Sequence, residues 1–392
     1  MSRSTSAILT AGAALLLLIG CSGTGSGSDI IRQAGSDGVL EIIHTAKEPL
    51  PAPWILHQDL VIGTEYGDEN YMLRSPDSFL VTSDGHVVIF DTKPVELRIY
   101  DSAGTFLRAF GQPGEGPGDL PAWIRLSEVG EGIFAGWSNA GGFRIQTWRL
   151  SGELLSVDTL PVDYPFSRGF IRSWDGRSLT LRMYEIDRSH PDRYVTDYFI
   201  AMSDLAGSSV DTLVHFTAIH PKRSRDAVTV EAMSPGDLSD ANIPTSDGRW
   251  CYSNSNEDWI RVFSLADGSE TMRFRWEHDP GPIPEWRIQE VREFGGEQFG
   301  EQWVEGLKEY EHAPWRFTIE EGPEGEIWVQ RSYEPDESGQ WAVDVFDHGG
   351  VYRGRIMSPV SLHTMQTVGR SIYVIGTVGE APALVRYHLE ER

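Results

Sequence analysis

Through most of the chain, short apolar runs alternate with polar turns that carry glycine. The stretch "DSFLVTSDGHVVIFDTKPVELRIYDSAGTFLRAFG" (77–111) divides into four such runs: "FLVT", "HVVIFD", "ELRIYD" and "TFLRAFG". Each run has strand length, and a dipeptide such as Asp84-Gly85 between two of them is a strong hairpin signal. The same unit recurs. "IRLSEVGEGIFAGW" leads into "FRIQTWRLSGELLSV", and "IPTSDGRWCYSN" leads into "WIRVFSLADGSETMRFRW". The first turn glycine stands at Gly85, Gly132, Gly176, Gly248, Gly325 and Gly369. Three of the intervals are 47, 44 and 44 residues, near the period of roughly 40–50 residues that propeller blades show. The intervals before Gly248 and Gly325, 72 and 77 residues, mark insertions.

The final copy stops at "ALVRYHLEE", one run short, while "DLVIGTEYG" (59–67) stands unmatched near the start. Strand pairing between the two chain ends would close the ring and leave only short, protected edges. The pattern therefore predicts an all-β fold over 51–392: a six-bladed β-propeller whose N-terminal strand closes the last blade. One helical insertion is predicted between blades 4 and 5, at about 280–315. There Pro284 suits a first turn and Gly295-Gly296 ends that helix, after which Phe299, Trp303 and Leu307 recur at a spacing of four. A second insertion, roughly 217–241, is polar. With the long middle loops at 185–195 and 332–341, both insertions fall on one face of the ring, the face expected to carry function.

"FGQPGEGPGDL" (110–120) is the one glycine-rich stretch with phosphate-loop spacing, at Gly111 and Gly116. Pro117 occupies the position where a lysine must reach the terminal phosphates, and no helix follows to direct its N-terminus at an anion. The stretch is predicted to be a bend between blades 1 and 2.

The chain begins "MSRSTSAILTAGAALLLLIGC", a cation, a short apolar run and small residues, which is the layout of a secretory signal peptide over 1–20. "LIGC" resembles the lipobox of bacterial lipoproteins. The resemblance implies that Cys21 becomes an acylated N-terminus, with membrane attachment through that lipid. Ser22 in place of aspartate favours the outer membrane. Residues 21–50 are then a tether and lead-in segment, opened by the Gly/Ser-rich "SGTGSGSD". With Cys21 acylated, Cys251 has no partner, so disulfides do not hold the fold.

"SDGHVVIFDTKPVELRIYDSAGTFLRAFGQPGEGPGDL" also resembles an NHL repeat, most closely in the first blade and more weakly in the others. The resemblance implies the propeller fold and says little of activity. Six-bladed enzymes of related form, the peptidyl-hydroxyglycine lyases and gluconolactonase-like hydrolases, have metal ligand sets that do not map onto this sequence.

The net charge of −25 repels phosphate backbones and argues against nucleic acid as a partner. No H-E-x-x-H, C-x-x-C or G-x-S-x-G motif occurs, and no cofactor is expected. Against this acidic background, cationic and aromatic residues recur where inner strands are predicted to begin: Arg74, Trp123, Arg125, Arg168, Arg225, Trp315, Arg316 and His363. They form either a cationic funnel for a carboxylate- or phosphate-bearing ligand, or a set of ion pairs with neighbouring blades. Trp137, Trp250 and Trp341 lie near predicted turns, where a ring stacks on a sugar, anchors a partner or packs between blades. The expected function is a lipid-anchored scaffold that binds an anionic saccharide, a peptide or an envelope protein through one face. The alternative is a metal-dependent lyase or lactone hydrolase at the channel mouth.

Overall fold

A computed structural model describes residues 30–46, 49–138, 144–159, 172–174, 177–187, 193–203, 210–221, 241–253, 259–277, 318–330, 335–336, 338–362 and 365–391, with isolated positions between 285 and 304. The described chain is built almost wholly of strands, arranged in six sheets. Near the N-terminus come β1 (Ile30–Ala34), β2 (Leu40–His44) and β3 (Trp54–Ile62). Blade 1 follows with β4 (Pro76–Val81), β5 (Val87–Thr92), β6 (Val95–Tyr100) and β7 (Phe106–Phe110). Blade 2 is β8 (Arg125–Gly130), β9 (Ile133–Ser138), β10 (Arg144–Arg149) and β11 (Leu154–Thr159). Blade 3 is β12 (Arg172–Trp174), β13 (Arg177–Asp187), β14 (Arg193–Ser203) and β15 (Val210–Pro221). Blade 4 holds β16 (Ala241–Pro244), β17 (Arg249–Ser253), β18 (Ile260–Ser264) and β19 (Glu270–Trp276). Blade 5 holds β20 (Thr318–Glu321), β21 (Ile327–Gln330), β22 (Trp341–Phe346) and β23 (Tyr352–Ser358). Blade 6 holds β24 (Met365–Val368), β25 (Ser371–Val378) and β26 (Ala381–Glu391).

Blades pack face to face, so a middle strand is covered on both sides. This is why "VVIF" in β5 and "IWV" in β21 are continuous apolar runs and not alternating ones. The core follows the same logic, with the larger described clusters lying between two blades. One joins Val88, Phe90 and Leu97 of blade 1 to Phe134 and Trp148 of blade 2; another joins Val262 and Phe274 of blade 4 to Val329 and Phe346 of blade 5. Trp250, expected near a turn, lies in β17 and is 1% exposed.

The repeated turns are explained residue by residue. In blades 1 and 4 the "TSDG" turn is fastened alike: the hydroxyls of Thr82 and Thr245 donate to Asp84 and Asp247. The serine that follows then donates through its amide and hydroxyl to a glutamate of the next blade, Ser83 to Glu128 and Ser246 to Glu321. Gly85 and Gly248 have φ of 88° and 80°, which side-chain-bearing residues rarely adopt. The outer turns meet the previous blade so closely that a Cβ on Gly152 would lie 3.1 Å from Phe110, and one on Gly350 2.9 Å from Phe274.

Closure uses the same joint. β3 pairs antiparallel with β26, from Leu384 opposite Ile62 to Glu391 opposite Trp54. A Cβ on Gly104 of blade 1 would lie 2.8 Å from Leu60 of β3, so blade 1 meets the N-terminal strand as blade 5 meets β19. Ile62, Tyr373 and Leu384 of blade 6 share a core cluster with Val81, Ile89 and Tyr100 of blade 1. The closing strand starts earlier than the 59–67 run suggested, because its apolar residues alternate with exposed ones along a sheet edge.

The lead-in segment is more ordered than a tether. β1 and β2 form a hairpin, and β2 pairs parallel with β19, widening blade 4 to six strands. The chain then crosses blade 5, where Ala52 donates to the Arg355 carbonyl and Arg355 to that of Leu50. A Cβ on Gly354, whose φ is 131°, would strike the Ala52 backbone at 2.7 Å, so glycine lets this strap lie flat. Residues 30–62 thus bind the rims of blades 4, 5 and 6 in succession.

Several hairpin turns each rest on one aspartate. Asp101 accepts from the amides of Thr105 and Ala103, and those bonds hold its carboxyl below its ordinary value of 3.8. Asp267 and Asp336 are lowered by comparable bonds from Ser269 and from Ser338 with Gln340. A carboxyl lowered on folding stabilises the fold above its unfolded value, and that contribution is lost as pH falls through the folded value. The melting temperature should therefore be insensitive to these groups between pH 7 and about pH 4 and fall below it. A scan from pH 7 to 2 with Asp101→Asn as comparison checks this, since that variant should lose part of the acid dependence.

Blade 3 departs from the expected layout. The segments 185–187 and 193–195, expected as loop, continue β13 and β14, and 217–221 continues β15. β13 has 11 residues where β5 has 6, which extends the blade by about 17 Å at the end carrying the middle hairpin. In the predicted helical insertion the described residues, Glu285, Ile288, Gln289, Arg292, Glu293, Glu301 and Val304, are helical. Arg292 pairs with Glu301 at 2.5 Å and Val304 is fully buried. Phe299, Trp303 and Leu307 lie outside the described residues.

Candidate functional face

Inner strands begin, and middle hairpins turn, at one end of the channel; this is the face to which blade 3 projects. Its best described sector spans blades 1 and 2. Asp91, at the end of β5, is fully buried and accepts from the amides of Arg74 at 2.9 Å, Ser75 at 2.8 Å and Lys93 at 3.1 Å. Arg98 stands 4.0 Å from it, binds Glu96 at 2.7 Å and donates to the carbonyls of Glu69, Asn70 and Met72. The network fixes the backbone before β4 and leaves the Arg74 side chain exposed, with no partner among the described residues.

Arg125, the first residue of β8, reaches back to Asp77 of blade 1, 3.8 Å from its carboxylate and 3.5 Å from its carbonyl. It thus takes the second of the roles predicted for it, an ion pair between blades. Both side chains are more than a third exposed, so the pair contributes at most about 1 kcal/mol. Trp123 meets Trp137 edge to face at 5.3 Å, and Trp137, opposite Arg125 in the sheet register, is 7% exposed. Trp123 itself is half-buried. Among the described residues, the mouth between blades 1 and 2 therefore presents an unpaired guanidinium, a paired one and a braced indole. Arg168, Arg225, Trp315, Arg316 and His363 lie outside the described residues, as does Cys21.

The 110–120 segment is a bend, and its amides are used internally. Gly116 donates to Asp119 and Gly118 to Gln146, while Gly114 and Leu120 close on backbone carbonyls. Arg144 of β10 grips the carbonyls of Glu115, Gly116 and Asp119, and the Gln146 amide also donates to Asp119. Bonds from Gln112 and then Gly116 hold the Asp119 carboxyl below its usual range. These clamps come from the next blade, and their position in an ordinary strand gave no sign of them in the sequence.

Two other groups bear on chemistry. Cys251 is free and fully buried, and burial pushes its thiol up to about 12. On the rim of blade 6, Ser371 lies 3.1 Å from His388 Nδ1, and His388 Nε2 lies 2.8 Å from Asp59. The order is that of a nucleophilic triad, but Asp59 is already held by two bonds from Arg386, at 2.9 and 3.0 Å. Burial works against ionisation of Asp59, yet the Arg386 bonds and charge keep its carboxyl low. Since Asp59 belongs to β3 and the other three to blade 6, the cluster is a fastening of the ring. Among the described residues no group of three His, Cys, Asp or Glu side chains is arranged to hold a metal. Nor is any described helix long and apolar enough to cross a membrane.

Sheet count, ring order and end-to-end closure define the chain as an all-β propeller. No protein-family model and no curated protein matches it. Among solved structures it is similar to a member of the DUF4221 family from Bacteroides vulgatus, with TM-score 0.57 and 12% identity over 88% of this chain and all of that one. It is also similar to a putative exported protein from Bacteroides fragilis, with TM-score 0.52 and 11% identity over 90% of this chain and 99% of that one. At these identities the likeness is one of fold.

Proposed function

We propose that the protein is an exported, lipid-anchored propeller of the bacterial envelope that binds a carboxylate-bearing saccharide at the mouth face. The observation that carries this reading is the placing of Arg74, Trp123 and Arg125 at the starts of neighbouring inner strands, with Trp137 of β9 opposite Arg125 and braced against Trp123. A guanidinium offers paired donors to a carboxylate, and an indole braced by a second one offers a rigid surface for a sugar ring. The long strands of blade 3 supply a wall beside that face. Export is supported by the N-terminal pattern, and acylation of Cys21 by "LIGC".

Calorimetric titration with uronic-acid oligosaccharides tests the reading. Arg74→Ala and Trp123→Ala should each weaken binding by about tenfold, near 1.4 kcal/mol, with unchanged melting temperature. Arg168→Ala with Arg316→Ala tests whether the remaining blades join the site. Affinity unaltered in both single variants, or a neutral oligosaccharide bound equally well, would count against it.

A further inference from the structure

We propose that the rim of blade 4, where the β1–β2 hairpin caps the sheet, is the side of the propeller that lies against the lipid bilayer. The wheel then stands on edge, with its mouth opening sideways. The inference rests on the reading of Cys21 as acylated and adds the orientation which that reading leaves open.

Ile30 belongs to β1, the outermost strand of the six-stranded sheet. It follows Cys21 by nine residues, which span at most about 32 Å when fully extended. The hairpin holds its place, so this reach counts from the rim. Arg273 of β19 bonds Asp37 at 3.0 Å and Glu41 at 2.7 Å, and the Trp276 indole donates to the Ala46 carbonyl at 2.6 Å. His44, 2% exposed, bonds the Gly350 carbonyl at 2.9 Å. Blade 1 lies opposite blade 4 in a ring of six. The six strands of one and the four of the other, at the usual spacing between strands, already measure about 38 Å without the channel. If the rim of blade 1 rested on the bilayer, the lipid on Cys21 could not reach it.

The distribution of apolar side chains selects the rim over the two faces of the wheel. Among the described residues eight large hydrophobic side chains are exposed, and four of them lie on the strap: Ile31 and Leu40 on the hairpin, Leu50 beside blade 5 and Ile55 on blade 6. Single exposed leucines are ordinary, but here Ile31 and Leu40 flank the hairpin edge, one on each side of its sheet, and Leu50 and Ile55 follow on the rims of blades 5 and 6, along the one segment joined to the lipid site of a strongly acidic protein.

The experiment uses the full chain, acylated at Cys21, in vesicles of phosphatidylethanolamine and phosphatidylglycerol carrying a nitroxide-labelled lipid. A fluorophore is attached at Leu40→Cys, at Leu107→Cys on the outer strand of blade 1, or at Arg74→Cys on the mouth face. Cys251 is buried with a raised thiol and takes no label. The bilayer nitroxide should reduce Leu40→Cys fluorescence at least twofold and leave the other two labels unchanged. Quenching that is equal at Leu40→Cys and Leu107→Cys, or strongest at Arg74→Cys, overturns the orientation while the anchor stands. If Cys21→Ser floats with the vesicles as well as the acylated chain does, or neither floats, the anchor reading fails and the orientation with it.

Discussion

A chain that begins at Gly63, lacking β3 and the strap before it, should lose cooperative unfolding altogether. Ile62 is fully buried between blades 6 and 1, and Leu60, Val61 and Leu56 pack onto the adjoining clusters. Full burial of one such side chain stabilises by roughly 1.5–3 kcal/mol. Several of them, together with the β26 pairing and the Asp59–Arg386 bonds, are comparable with the whole stability of a folded domain, about 5–15 kcal/mol. Removal also bares β26 as a long apolar edge, which invites association between chains. Calorimetry should show no single transition, and dye binding should report exposed apolar surface. A truncated chain melting within a few degrees of the full one would show that the ring closes otherwise.

Asp91→Ala should be the most damaging single substitution in blade 1. It leaves three part-buried backbone amides without their acceptor and deprives Arg98, itself 5% exposed, of one of its two nearby carboxylates. Removing one partner of a buried charged group destabilises by about 3–5 kcal/mol, and Asp91→Asn should lose less because its amide oxygen still accepts. Urea unfolding should show a lower midpoint with an unchanged slope. The backbone before β4 should also exchange its amide hydrogens faster, linking the network to the position of Arg74 at the mouth. A loss below 1 kcal/mol for Asp91→Ala would mean that the amides find other partners.

Much of the ring was legible because its signals are local. The described "DG" and "AG" turns carry a glycine at positive φ, and second strands such as "VVIF" in β5 and "IWV" in β21 are continuous apolar runs, so the repeat is visible however far the blades have diverged. The unmatched strand near Val61 pointed to closure for the same reason. The strap was not legible. "IIRQAGSDGVLEIIH" reads as an ordinary hairpin, and its place depends on Arg273, Trp276 and Gly350, which lie hundreds of residues away. The long strands of blade 3 were missed because "EIDRSHPDRYV" is polar, and polarity looks like loop where a hairpin projects beyond the core. At the mouth, Arg74, Trp123 and Arg125 were visible as residues out of keeping with an acidic chain. That Arg125 pairs with Asp77, while Arg74 has no partner among the described residues, is a property of the blade interface, and spacing alone could not separate them.

Hydrogen exchange under native conditions tests the closed ring most directly. If β3 is the outer strand of blade 6, its amides from Leu56 to Ile62 should open with the same free energy as those of β25 and β26, in one cooperative unit. Fast exchange throughout β3 beside a protected β26 would contradict the account.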